Sequence, residues 1–252
     1  MDIAPLSGPV IVLVGLIVFG AAIVKGVAGL GFPLITVPLV ANIIGPPAAV
    51  VLIAVPTVAS NLFMVSQGGG SLVRFRQLAW LIAGLLAGTA VGARLLRDIS
   101  PTLLAVILGV IAVAYAGTAL LRLPLRLPAA PGPGVSLTVG AATGLLGGAT
   151  TIYAPLVSAY VDNLRLAKDE FVFWVTALFL IGTSTQVLTY ALSGIYHGGL
   201  LSFALLLCLP MLLGTWIGMR LRGRVPADRF RTLVLLLVLL SGANLILRAW
   251  WR

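Results

Sequence analysis

Lys25 stands at the edge of the run Gly26-Val27-Ala28-Gly29-Leu30-Gly31, in a stretch with no other charge from Pro9 to Ile44. A second glycine-broken run is Gly144-Leu145-Leu146-Gly147-Gly148. Such runs allow one helix to stop and another to start, near Gly31-Phe32 and near Gly148-Ala149. Helix N-termini offer unpaired backbone N–H groups and a partial positive charge. Two of them meeting at membrane mid-depth suit a small anion, and Lys25 adds a full charge. An unpaired lysine inside a membrane is costly, which makes it a functional hypothesis by default. The plainer reading is that Lys25 reaches water at the cytoplasmic surface because the first segment spans fully. Its repeat counterpart falls near Ala142, so a site here is asymmetric in charge. Lys25, Gly29, Gly31, Gly147 and Gly148 are the candidate anion-holding positions.

Neutral polar groups accompany them. Thr36, Thr150, Thr151 and Tyr153 fall on the short pieces that follow the breaks. Thr57, Ser60 and Asn61 match Thr183, Ser184, Thr185 and Gln186 in the next spans. Buried hydroxyls and amides must find partners, which a substrate, a water or a neighbouring helix can supply. Thr36, Asn61, Thr150, Thr151 and Gln186 complete the candidate substrate-binding set. Asn61 and Gln186 lead it, because a buried amide is the most expensive to leave unpaired.

Other chemistry is thinly supplied. His197, the single histidine, lies in a short outward loop and reads as solvated. Asp162, Asp169 and Glu170 cluster with Arg165 and Lys168 in a charged loop. No acidic residue sits well inside a span, which argues against a carboxylate proton relay or a cation site. The chain has no His-Glu-x-x-His, Gly-x-Ser-x-Gly or Walker loop, and no metal or other cofactor is expected. An enzyme is therefore not expected, and any transport is driven by an ion or proton gradient or by a separate partner.

The elements that must position these groups are membrane helices. Apolar residues make up 60% of the 252 and charged residues 9%, against roughly a quarter charged in a soluble domain. The expectation is an all-α polytopic membrane protein of about eight to ten segments at roughly 20 residues each. The net charge of +10 sits in short loops, where it sets orientation rather than binding nucleic acid. Cys208, the only cysteine, forms no internal disulfide. The N-terminus lacks the positive region of a signal peptide, so the first apolar stretch is expected to be retained.

The order of elements is written twice. Gly88-Thr89, Gly92 and Arg94-Leu95 recur 126 residues on as Gly214-Thr215, Gly218 and Arg220-Leu221, and Pro38-Leu39-Val40 is echoed by Pro155-Leu156-Val157. The expected halves are residues 1–121 and 135–252, joined by a Pro- and Gly-rich cytoplasmic linker, 122–134. Each holds a glycine-broken hairpin and three longer spans: 9–24, 32–44, 48–66, 77–96 and 101–121, then 135–146, 151–161, 171–192, 200–219 and 230–249. A 12-residue helix rises only about 18 Å against a hydrocarbon core of about 30 Å. Each pair is therefore a broken helix or a re-entrant hairpin, tolerated at membrane depth where it is buried in protein or lines a wet cavity. Gly84, Gly88 and Gly92, like Gly214 and Gly218, form stripes for close helix packing inside the bundle, or a homodimer face. Thr89 and Thr215 are expected to hydrogen-bond across helices.

Each half contributes an odd number of crossings, which makes the halves inverted. Eleven basic residues, from Arg74 to Arg231, fall on one side, and Arg94, Arg97, Arg248 and Arg252 on the other. The first side is then cytoplasmic and both termini face out of the cell membrane.

The run Gly26 to Pro33, the following Val37-Pro38-Leu39, the repeated Gly-Thr-x-x-Gly-x-Arg-Leu and the length together resemble the TauE/SafE sulfite exporter family, membrane transporters of the 4-toluene sulfonate uptake permease type. The resemblance implies an inverted-repeat transporter that exports sulfite or a small organosulfur anion such as sulfoacetate. Its partners are then that anion and membrane lipid, with a coupling proton or ion, and alternating access comes from rocking one half against the other. A channel or cation transporter of the same fold, and a membrane subunit without transport of its own, are the competing readings.

Overall fold

The computed structural model describes residues 7–29, 31–70, 72–121, 131–196, 199–222 and 227–251. Leu30, His197 and residues 122–130 of the expected linker lie outside them. The described residues form helices without a strand: α1 Gly8–Ala28, α2 Phe32–Ile44, α3 Pro46–Val65, α4 Leu72–Leu95, α5 Pro101–Leu120, α6 Pro133–Thr150, α7 Ala154–Asp162, α8 Lys168–Leu192, α9 Leu200–Leu206, α10 Cys208–Leu221 and α11 Ala227–Trp250. Prolines open α3 and α5 at the first helical position, where the missing N–H would have no partner. The span expected at 200–219 is α9 and α10, interrupted at Leu207. Pro210 lacks the N–H that would bridge the interruption.

Among the described residues six helices are long and apolar enough to cross a membrane, against the eight to ten segments expected: α1, α3, α5, α8, residues 74–95 of α4, and α9 with α10 taken together. The shortfall lies in the broken pairs and in α11. Helix α2 has 13 residues and α7 has 9, rises of about 20 and 14 Å. The chain is a multi-pass helical membrane protein.

Two compact units divide the chain, and they are not its sequential halves. One comprises Met1–Pro56, Ile99–Pro124 and His197–Arg252, the other Thr57–Asp98 and Leu125–Tyr196. In the first, α1 packs along α10, and α11 packs on α5 and α2. In the second, α6 packs along α4, and α8 touches α4, α6 and α7. Each unit thus joins the broken pair of one half to the glycine-striped helix of the other.

The two crossings use matching residues. A Cβ on Gly26 would run into Thr215 O and Met219 N, and one on Gly148 into Thr89 O and Ala93 N. Gly214 meets Phe19 O as Gly88 meets Ala141 O; Gly218 meets Ile23 O as Gly92 meets Leu145 O. The broken helices therefore correspond at an offset of 122 residues (26 to 148) and the striped helices at 126 (89 to 215). The stripes are consumed in these crossings, where backbones approach more closely than any side chain allows. Thr215 Oγ1 donates to Met211 O in its own helix at 2.8 Å, and Thr89 Oγ1 is buried without a partner.

Candidate functional site

The first break lies in the first unit. Helix α1 runs four residues past its expected end, and Lys25 sits in its last turn. Gly29 closes it in the left-handed region, φ 83°, and Gly31 repeats that conformation, φ 99°, before α2 begins. Both values need glycine. The last carbonyls of a helix lack partners within it. Here Gly29 N–H donates to Lys25 O at 2.6 Å, and Arg222 donates to Gly26 O from Nε at 3.2 Å and Nη2 at 3.0 Å. The Lys25 side chain is 1% exposed, enclosed by protein. The buried Lys25 and the carbonyl capped by the Arg222 guanidinium thus stand one residue apart along the final turn of α1. Thr36, fully buried on α2, donates its hydroxyl to Phe32 O at 2.7 Å.

The second break lies in the second unit, beyond the glycines expected to form it. Gly147 and Gly148 remain helical in α6, which runs to Thr150. The turn is made by Thr151 at φ 63°, a strained conformation for a β-branched residue. Gly147 and Gly148 give space instead. A Cβ on Gly147 would strike the Tyr153 ring. Thr151 N–H donates to Gly147 O at 2.6 Å, matching Gly29 on Lys25, so the counterpart of Lys25 is Gly147 rather than Ala142.

Gly148 O, the counterpart of Gly26 O, is capped from α8. Gln186 Nε2 donates to it at 3.1 Å and Tyr190 Oη at 2.7 Å. The same Nε2 lies 3.0 Å from Thr151 Oγ1 and 2.8 Å from Tyr190 Oη. With two hydrogens for three acceptors, the amide shares its donors. Tyr153 Oη donates to Gln186 Oε1 at 3.3 Å. Thr89 Oγ1 lies toward Tyr153 yet completes no hydrogen bond. Asn61 Nδ2 is 3.5 Å from Thr183 Oγ1, at the limit of bonding. Thr150 Oγ1 turns back to Leu146 O at 2.6 Å.

The sequence-derived set therefore falls into two places. Gly148, Thr151 and Gln186 meet in one hydrogen-bonded network with Gly147 beneath Tyr153. Lys25, Gly29, Gly31 and Thr36 surround the other break. Asn61 joins Thr183, and Thr150 Oγ1 ties its own helix to the turn, accepting from Ile152 N–H at 3.2 Å. Arg222 and Tyr190 are additions. Arg222 reads from sequence as a topology signal, and Tyr190 as one more span aromatic, although its four-residue spacing from Gln186 puts both on one helix face.

Among the described residues, four buried polar atoms have no partner: Thr89 Oγ1, Ser158 Oγ, Trp174 Nε1 and Thr176 Oγ1, all in the second unit. Native buried polar atoms are nearly all bonded, so these are groups to be met by water or by a ligand. The arrangement offers a buried lysine in one break and neutral donors in the other, with no carboxylate at either among the described residues. It is suited to holding an anion and carries no nucleophile–base pair.

A family model described as Sulfite exporter TauE/SafE matches residues 14–245. No curated protein and no solved structure matches the chain.

Proposed function

The chain belongs to the sulfite exporter TauE/SafE family, and from that premise we propose that it is a secondary transporter exporting a small sulfur-containing anion, sulfite or an organosulfonate such as sulfoacetate, across the cell membrane. The observation that carries this reading is Lys25, a lysine buried to 1% exposure in the last turn of a broken membrane helix. Membrane chains keep such charges for substrates and ions. The Arg222 guanidinium on Gly26 O adds positive potential at the same turn, which favours an anion over a cation.

Lys25 holds the anionic group, with the backbone at Gly29 and Gly31 beside it. Gln186, Thr151 and Tyr153 supply neutral donors that an oxyanion can borrow, because the Gln186 amide already divides its hydrogens among three acceptors. The matched crossings support two repeats, and an inverted relation between them requires each broken pair to return to the side it entered from. Alternating access through the broken pairs follows as the mechanism, powered by an ion or proton gradient.

The test is thermal unfolding of the purified chain with sulfite, sulfate, sulfoacetate, taurine and simple carboxylates. A ligand bound only by the folded state raises apparent stability as its concentration passes Kd. A selective shift with one sulfur oxyanion is expected, together with saturable flux in proteoliposomes. Lys25→Ala should weaken that binding by roughly 10- to 100-fold, the loss of a charge-assisted hydrogen bond, in protein that still folds. Unchanged affinity in the variant would remove Lys25 from the site. No shift with any anion, in folded protein, would overturn the anion reading.

A further inference from the structure

Within the first unit, away from both breaks, lies an open cavity of about 180 Å³, more than ten times the ~10–15 Å³ that one water needs. It forms where the end of α2, the starts of α3 and α5, and the last turns of α11 converge. Its walls are apolar at Pro46, Pro101 and Ala249, and its polar groups are Arg248, Asn42 and Thr102. No carboxylate lines it.

The polar side is built. Asn42 Nδ2 donates to Pro38 O at 2.9 Å and to Ser241 Oγ at 3.0 Å, and its Oδ1 accepts from Asn244 Nδ2 at 2.6 Å. These bonds fix Asn42, whose main-chain carbonyl accepts from Arg248 Nη1 at 3.1 Å. One of five guanidinium N–H groups is thereby used to aim Arg248 at the cavity mouth, and the planar fork keeps donors for an oxyanion. Thr102 stands in the first turn of α5, where Ser100 Oγ serves Leu103 N–H and not its own.

The level of the cavity identifies its occupant. Arg248 is followed by Trp250 and Trp251, exposed to 87% and 85%. Exposed tryptophans at the end of a membrane helix mark the headgroup layer, where lipid phosphates come within reach of an arginine fork. We propose that this cavity is a lipid site that takes the phosphate of an anionic phospholipid on Arg248 and Thr102, with the lipid's chains leaving along the apolar wall. It is separate from the transport reading and stands or falls without it.

The test reconstitutes the full chain in phosphatidylcholine nanodiscs containing a minor share of phosphatidylglycerol. Lipid retained after gentle detergent extraction is counted by native mass spectrometry. The expected result is selective retention of phosphatidylglycerol, reduced about tenfold in Arg248→Gln, as for loss of a charge-assisted hydrogen bond. Ala249→Phe keeps the charge and fills the cavity, and it should abolish retention as well. A parallel arm adds inorganic phosphate in detergent and reads thermal shift. Stabilisation by phosphate without lipid enrichment would assign the cavity to a free anion and overturn the lipid source. Equal retention of both lipids, or retention unchanged in both folded variants, would overturn the site.

Discussion

At the scale of single residues, the two breaks use the same pair of positions with the sizes exchanged. The first has Lys25 on its helix and Gly31 after the turn; the second has Gly147 on its helix and Tyr153 after the turn. One break therefore carries a charge and the other a ring and a phenol hydroxyl, although the backbone capping is alike. Capping at the second break is redundant, since Gly148 O accepts from both Gln186 and Tyr190. Removing either donor leaves the other. Gln186→Leu and Tyr190→Phe should each cost about 1 kcal/mol, near the net value of a hydrogen bond. The double variant should exceed their sum by about 0.5–3 kcal/mol, because only then is the buried carbonyl stranded. Thermal unfolding of the four proteins in one detergent measures the coupling, and additive losses would show that the network does not share this carbonyl.

At the scale of elements, glycine does two jobs that composition does not separate. Gly29 and Gly31 turn the chain; Gly147 and Gly148 sit inside a helix and let another backbone approach. The sequence led to a break at the second pair because the two runs look alike, and the turn was instead assigned by the structure to Thr151, whose type gives no such signal. The echo of Pro38-Leu39-Val40 in Pro155-Leu156-Val157 misled in the same way. At the observed offset of 122, Pro33 matches Pro155 near the start of each return helix, so the more obvious similarity is five residues out of register. The long spans were legible to within a few residues because apolar length is set by the bilayer. The hydrogen-bonded network was half legible, since Gln186, Thr151 and Gly148 stand out as polar or small while Tyr190 gains meaning only from the carbonyl it caps. Gly148→Ala puts a methyl against Thr89 O and Ala93 N, and the helices must part. A loss of about 1–3 kcal/mol is expected, as for overpacking. Gly20→Ala in exposed α1, where a Cβ meets nothing, should be neutral or slightly stabilising. Equal melting temperatures for the two variants would refute the close crossing.

At the scale of the whole molecule, each compact unit is completed by a helix from the other sequence half, α10 for the first and α4 for the second. Neither half-chain contains a finished unit, so separate expression of residues 1–121 should give protein that fails to reach the cooperative melt of the full chain. Orientation rests on different physics, the excess of basic residues in short loops on one side. Gly26 near the end of α1 packs at the end of α10, and the start of α5 shares a cavity with the end of α11. The charge count predicts that Ser7, before α1, faces outside and that Gln67, after α3, faces the cytoplasm. Cys208 is the only native thiol, so Cys208→Ser gives a clean background for Ser7→Cys and Gln67→Cys. In intact cells a membrane-impermeant maleimide should label the first and spare the second until the cells are opened. The reverse pattern would place both termini inside and turn the proposed export path around, and labelling of both in intact cells would mean that the chain inserts in two orientations.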